Sequence, residues 1–422
     1  MREMKDSGIE WIGDIPVSWK IMPNKYLMRK EKKICPVYHG EDILSLTMKG
    51  VIVRDLDAGG KMPTSFDGYQ RLEAGNLLMC LFDIDVTPRC VGLIKQAGVS
   101  SPAYSQFVLR KGADAAYYCY YYTMLDNDKT LLHLAKNLRH SLTEDQLGAI
   151  PVIVPPIEEQ QRIADFLDTK CAEIDALTAD IQTQIDTLEQ YKRSVITETV
   201  TKGLDPDAEM KDSGAQWVGR MPSSWRMLKG KYMFAQRSLR GNSRKLQLLS
   251  PTQKFGVIPQ TLYEELSGMS AVKLNEKTDL SLLKTIHKGD FCISLRSFQG
   301  GFEYSKYEGV VSPAYQVFYP TFEIADDYYK YLFKEQGFID RMNSYTMTLR
   351  DGKNIAFSDF GNTYIPYPPL TEQLEIATYL DRKCTQIDAL VTEKQQQLAT
   401  LDEYKKSLIF EYVTGKKEVP VP

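Results

Sequence analysis

The 422 residues contain no long apolar run, no closely spaced cysteine pair and only four histidines. No stretch approaches the roughly 20 apolar residues of a membrane span. The opening Met1-Arg2-Glu3-Met4-Lys5 is too charged for a secretory signal. Seven Cys are scattered without a CxxC, and the histidines show no ligand spacing. The pattern argues against structural zinc and a disulfide framework; free thiols in a reducing cytoplasm are expected, with no metal and no cofactor. GxxxxGK[ST] is absent, which argues against an ATP motor. No strand, Gly-rich loop and helix fingerprint for a nucleotide or methyl donor appears. Asp57-Ala58-Gly59-Gly60 and Phe298-Gln299-Gly300-Gly301 read as loops. Val154-Pro155-Pro156-Ile157 and Tyr367-Pro368-Pro369-Leu370 lack the aromatic and the preceding polar residue with which amino-methyltransferases hold a flipped base. Glu303 with Lys306 has no evident partner acid for a metal nuclease, so exposed loop charge is the plain reading. A protein without catalytic chemistry is expected.

What is present is present twice. Met4-Lys5-Asp6-Ser7-Gly8 with Trp11, Gly13, Pro16, Ser18 and Trp19 returns as Met210-Lys211-Asp212-Ser213-Gly214 with Trp217, Gly219, Pro222, Ser224 and Trp225, an offset of 206. All four Trp lie in these blocks. Pro155-Pro156-Ile157 with Glu159-Gln160 returns as Pro368-Pro369-Leu370 with Glu372-Gln373, offset by 213. Two copies of one half-molecule imply pseudo-symmetry and two similar working surfaces.

Charge is segregated although the net value is only −3. Residues 20–150 hold 17 Lys plus Arg against 14 Asp plus Glu, and residues 226–365 hold 19 against 14. Residues 157–200 hold 4 against 10, and residues 370–415 hold 5 against 8. Two basic lobes thus alternate with two acidic segments, as expected if the lobes approach phosphate and the segments do not. Ordinary surface scatter is the competing explanation.

The acidic segments read as long helices. Ile174, Leu177, Ile181, Ile185, Leu188, Tyr191 and Val195 recur at spacings of three and four, with no Pro or Gly between Ile157 and Val200. Ile387, Leu390, Lys394, Leu398, Leu401, Tyr404 and Leu408 repeat them at plus 213. A narrow seam of period near 3.5 predicts a helix paired with another helix. The Pro pair and acidic first turn fix each start; Gly203 with Pro206, and Gly415 with Pro420, mark the ends. At about 1.5 Å per residue such a helix spans roughly 65 Å. Lys394, where the first copy has Ile181, either sets register or extends its ammonium from the seam edge.

The lobes read as short strands (Asn76–Phe82, Ser105–Leu109, Phe291–Leu295, Tyr315–Phe318) and helical runs (Tyr117–Leu125, Asp326–Asn343). Few residues match between lobes, yet anchors recur: Gly75 with Gly289, Ser101-Pro102-Ala103-Tyr104 with Ser312-Pro313-Ala314-Tyr315, and Leu138-Arg139 with Leu349-Arg350. One α+β scaffold with divergent loops is predicted. Tyr117–Tyr122 reads as a half-buried helix and the four Trp as core.

Candidate nucleic-acid contacts follow. Arg237, Arg240, Arg244 and Lys245, with Lys30, Lys32 and Lys33 at the corresponding place in the first lobe, suit phosphate. Arg89, Arg296 and Gln299 lie in loops near the Ser-Pro-Ala-Tyr anchor; Arg reads guanine edges and Gln reads adenine edges. Arg139 and Arg350 could clamp phosphate or pin each lobe to its helix.

With its Lys-Asp-Ser-Gly…Trp-x-Gly-x-x-Pro-x-x-Trp blocks, Pro-Pro-[Ile/Leu]-x-Glu-Gln starts, Ile-Ala-x-x-Leu-Asp (Ile163–Asp168, Ile376–Asp381) and Ile-Asp-Ala-Leu (Ile174–Leu177, Ile387–Leu390), the chain resembles the specificity subunit of a type I restriction–modification system. The resemblance covers essentially the whole chain. It implies an α+β protein with two similar α/β target-recognition domains (1–155 and 204–368). Two long helices (156–203 and 369–415) would separate them and pair as an antiparallel coiled coil with pseudo-twofold symmetry. Each domain would read half of a split double-stranded DNA site. The helices would set the spacer and dock two methyltransferase subunits, restriction subunits would join, and the chain itself would catalyse nothing. A two-lobed coiled-coil scaffold that binds only proteins is the alternative, and a self-sufficient modifying enzyme is disfavoured by the missing motifs.

Overall fold

The computed structural model describes residues 2–57, 63–135, 140–240, 246–269, 280–293, 301–345 and 355–420. Two compact units divide the chain: Met1–Gln182 with Gln396–Pro422, and Thr183–Gln395. The division cuts both long helices, because each lobe packs on part of each helix.

The lobes share one topology. In the first, a four-stranded antiparallel sheet runs in the order Met28–Glu31, Ser105–Leu109, Leu77–Met79, Val91–Leu93. In the second the order is Phe234–Gln236, Gln316–Pro320, Phe291–Ile293, Phe302–Tyr304. Leu77–Met79 and Phe291–Ile293 are buried along their whole length, which explains why they read as unbroken apolar runs. Each lobe adds a two-stranded ribbon, Gln70–Leu72 with Gly98–Ser100 in one and Lys284–Ile286 with Gly309–Val311 in the other. Each also has a hairpin, Leu44–Thr47 with Gly50–Val53 and Leu249–Thr252 with Gly256–Pro259. The second lobe's core is rich in phenylalanine: Phe234 lies 5.5 Å from Phe318 and Phe302 lies 5.0 Å from Phe338. Burying each such ring contributes about 1.5–3 kcal/mol. The helical run anticipated over Asp326–Asn343 is two helices, Asp326–Leu332 and Gln336–Ser344. The Glu335 side chain caps the second by accepting from the Phe338 amide at 2.7 Å, and so starts it afresh.

The long helices span Ile157–Lys202 and Leu370–Val413. In the first unit their segments run antiparallel, with the Phe166 ring 4.5 Å from Tyr412 and Lys405 bonded to Asp175 at 2.5 Å. In the second unit Lys192 bonds Asp388 at 2.6 Å, and Gly203 lies beside Glu372. The seam follows strict alternating steps of four and three. On the first helix it is Leu167, Cys171, Ile174, Thr178, Ile181, Ile185, Leu188, Lys192 and Val195. On the second it is Leu380, Cys384, Ile387, Val391, Lys394, Leu398, Leu401, Lys405, Leu408 and Tyr412. Ile174, Ile181, Ile185, Ile387 and Leu408 are buried, and Leu188, Leu398, Leu401 and Lys394 are partly buried. Leu177 and Leu390 do not belong to the seam: each is 47% exposed, and Tyr191 and Tyr404 are exposed with them. Their apolar character placed them there on sequence grounds. They are one residue out of phase, a rotation of about 100° around the helix, and the seam positions go instead to Thr178, Val391, Lys192 and Lys405.

All seven cysteines are unpaired. No described helix is long and apolar enough to cross a membrane.

Candidate nucleic-acid interface

Blocks that recur in sequence meet in space, and they mount the lobes. The buried Trp19 indole donates to Glu159 Oε2 at 2.9 Å, and Trp225 donates to Glu372 Oε2 at 2.9 Å. Lys5 Nζ caps the carbonyls of Val17 and Trp19 at 2.8 and 2.7 Å, while Lys211 caps those of Ser223 and Trp225 at 2.8 and 2.6 Å. Asp6 and Asp212 each accept from the Gly amide two residues on, at 2.8 and 2.9 Å, which forms a local turn. Gln160 is fully buried; it donates to Pro155 O at 2.8 Å and accepts from the Asp114 amide at 2.8 Å. Gln373 does the same with Pro368 O at 2.8 Å and the Ala325 amide at 2.9 Å. The Pro-Pro-x-x-Glu-Gln signature is therefore a fastener: Glu holds the Trp block and Gln holds the lobe. The helix ends dock just as closely. Gly415 and Gly203 have φ of +73° and +79°. A Cβ at Gly415 would stand 2.7 Å from Pro16 and Trp19, so only glycine fits.

A second repeated fastener is absent from the candidate residues. The helix Ala115–Asn127 is half-buried, with Tyr117, Tyr118, Tyr121 and Tyr122 wholly buried and Cys119 and Tyr120 partly exposed. Tyr117 donates to Val413 O at 2.8 Å, Tyr118 to Ile153 O at 3.0 Å and Tyr120 to Asp168 at 2.6 Å. Tyr328 donates to Val200 O at 2.8 Å, Tyr329 to Pro366 O at 3.2 Å and Tyr331 to Asp381 at 2.6 Å. Burial pushes all six phenols well above their ordinary range. The Tyr-Tyr-x-Tyr repeat was there to be found, at an offset of 211.

The basic candidates divide by the company they keep. Arg237 is bidentate to buried Asp290, at 2.6 and 2.9 Å, with its guanidinium 4.3 Å from the Tyr319 ring centre. Arg89 donates to Asn127 at 3.0 Å and pairs with buried Asp126 at 3.5 Å, tying its loop to the tyrosine helix. Lys33 pairs with Glu73 at 2.6 Å and Glu31 at 3.4 Å, and the Glu73 hydrogen bond raises its pKa. Lys30 lies on the edge strand of the sheet, 3.8 Å from Glu144. Lys32 and Arg240 are exposed and have no acidic partner among the described residues. Arg139, Arg244, Lys245, Arg296, Gln299 and Arg350 lie outside the described residues.

Glu303 is not an exposed loop charge. It lies on the strand Phe302–Tyr304, is 2% exposed, and accepts from Lys334 Nζ at 2.5 Å. Burial raises its pKa to about 7, against the pull of Lys334. Among the described residues no group of three or more side chains is placed to hold a metal ion.

The comparisons agree with this architecture. The family model of the type I restriction modification DNA specificity domain matches residues 91–187 and 229–400, more than half of the chain. A putative type I restriction enzyme MjaX specificity subunit of Methanocaldococcus jannaschii is 23% identical over 291 residues, covering 66% of this chain and 62% of the relative. The MjaVIII specificity subunit of the same organism is 25% identical over 287 residues, covering 64% of this chain and 63% of the relative. The match thus spans less than two thirds of either relative. Among solved structures, a chain from work on complex assembly and conformational transition of the type I R-M system has a TM-score of 0.68 at 14% identity, covering 96% of this chain and 99% of that one. The HsdS subunit from Thermoanaerobacter tengcongensis has a TM-score of 0.50 at 14% identity, with 96% and 98% covered. The chain belongs to the type I restriction–modification DNA specificity family.

Proposed function

We propose that this chain is the non-catalytic DNA-recognition subunit of a type I restriction–modification complex. Each lobe reads one half of a bipartite site. The paired helices hold the half-sites at a set spacing and dock two methyltransferase subunits, which restriction subunits join. The observation that carries the reading is the duplication itself. Two lobes of one topology sit on mounts that share the Trp–Glu, Gln–Pro and Tyr–carbonyl bonds, while most of their other residues have diverged. Divergence within one shared frame is what two readers of different sequences require, since base edges are read by loop side chains and shape.

The out-of-phase residues support the docking role. Leu177 and Tyr404 in the first unit, and Tyr191 and Leu390 in the second, are exposed apolar side chains on otherwise charged helices. The first unit also has a cleft of about 660 Å³ walled by apolar Leu93, Leu398 and Ile409 and by charged Arg89, Lys95 and Asp175. The exposed apolar side chains suit a protein surface better than a phosphate backbone.

A gel-shift titration at moderate salt, with and without co-purified methyltransferase subunits, tests the proposal, and methylome sequencing of the host then gives the site. A continuous rather than bipartite methylated site would refute the two-lobe reading. A chain that binds partner proteins but never DNA would instead be a coiled-coil scaffold.

A further inference from the structure

The two lobes differ in charge at one position of their shared frame. In the first lobe, Gln70 opens the ribbon strand Gln70–Leu72 and bridges to Ile34. It is buried, and its Nε2 donates to the carbonyls of Ser101 and Tyr104 at 3.0 and 2.8 Å. The site is neutral and its donors are used. In the second lobe, Lys284 opens the matching strand Lys284–Ile286 and bridges to Arg240. Its Nζ donates to the Tyr315 carbonyl at 2.7 Å, in the same Ser-Pro-Ala-Tyr anchor. An ammonium has three N–H donors, and one is accounted for. Neither Lys284 nor Arg240 has an acidic partner among the described residues. This contrasts with Arg237, Arg89 and Lys33, each neutralised within its own lobe. Lys284 is partly buried, and its basicity is lowered first by that burial and then by the Arg240 charge. A partly buried cation beside a second cation is stabilised by an anion that joins them.

We propose that Arg240 and Lys284 together grip one backbone phosphate of duplex DNA, a contact that the second lobe makes and the first lobe, with Ile34 and Gln70 in those places, does not. The inference rests on the DNA-recognition reading above and assigns part of it to named residues. Phosphate contacts fix register and carry no sequence information. The clamp would therefore seat the second lobe on its half-site while other side chains read the bases.

The test uses the full chain with its co-purified methyltransferase subunits and mixed-sequence duplex DNA, titrated with KCl. Lys284→Gln installs the residue the first lobe already uses and keeps a donor for the Tyr315 carbonyl. Arg240→Ala alters an exposed side chain. Each phosphate contact contributes about 0.9 to the slope of log K against log salt. The double variant should lower that slope by about 0.9, one phosphate's share, rather than by about 1.8, and each single variant by no more than the double, because both residues serve one phosphate. Methylation by the variants should keep both half-site sequences. Unchanged slopes with intact binding overturn the clamp and leave the DNA reading standing. Doubled loss in the double variant assigns separate phosphates and overturns the shared grip. Absence of DNA binding by the unaltered complex overturns the DNA reading, and the clamp with it.

Discussion

Lys192 crosses the helical pair to Asp388 at 2.6 Å, from a position that the seam's phase would give to an apolar residue. Its repeat, Lys405, does the same with Asp175. Exposed ion pairs contribute only about 0–1 kcal/mol, and both carboxylates are largely exposed. An apolar side chain in the seam is worth more. Lys192→Leu with Lys405→Leu is therefore expected to raise the thermal midpoint while loosening register. Circular dichroism melts decide it, and a lower midpoint would mean that the ion pairs outweigh seam packing.

Glu159 and Glu372 hold equivalent Trp residues, but Glu159 also pairs with Arg2 at 2.6 Å. Ala208 stands at the Arg2 position of the second copy. Replacing either Glu by Ala leaves a buried indole N–H unpaired, at a cost of about 1–3 kcal/mol. Glu159→Ala should cost more than Glu372→Ala, because it also removes the shorter of the two ion pairs of a mostly buried guanidinium, leaving Glu418 at 3.8 Å. Paired urea titrations test this ranking, and equal losses would show that Arg2 adds nothing.

Glu303 should make the second unit pH-sensitive. Its folded pKa is raised from an ordinary 4.5 to about 7, so the folded state binds the proton more tightly. The stability it contributes is complete below about pH 4.5 and is lost as pH rises through about 7. Glu303→Gln removes the group, so the variant should gain on the unaltered protein over that window, by on the order of 2–3 kcal/mol. Melting both proteins from pH 4.5 to 8 and taking the difference isolates this residue from Asp326, whose pKa burial also raises, to about 6. A flat difference would sink the prediction.

Mounts that share the same fastening bonds predict independent lobes. Exchanging residues 20–150 for the equivalent lobe of a relative should change one half-site and leave the other intact. Methylome sequencing of cells carrying the hybrid reads this directly, and a change in both halves would refute it.

If the helices set the spacer, lengthening both should move the half-sites apart. A heptad inserted near Gln184 and another near Gln397 keep the seam in phase. At about 1.5 Å per residue they add about 10 Å, or roughly three base pairs at about 3.4 Å each. Insertion in one helix alone should destabilise the pair. An unchanged spacer with full activity would remove the helices from that role.

The duplication, the helix limits and the α+β texture were legible because they are local or repeated: Pro155-Pro156 and Gly203 bracket a helix wherever it folds. The seam's phase was not, because Leu177 looks more like a seam residue than Thr178, and only the partner helix reveals the register. Arg89 and Arg237 looked free because Asp126 and Asp290, which neutralise them, are distant in sequence. Lys284 escaped notice for the converse reason. Its position matters only once Gln70 is known to occupy the same place, and the two lobes share too few residues to align by eye.

The Trp–Glu, Gln–Pro and Tyr–carbonyl bonds are the same on both sides, and none involves a residue that differs between the lobes in kind. A lobe therefore carries no address of its own. Moved to the other half of the chain, or inherited from a relative's gene, it would meet the same Glu, Gln and helix-end carbonyl. On the proposed two-lobe reading, recombination between the conserved blocks should yield a folded product, and a small stock of lobes would give as many specificities as there are ordered pairs of them.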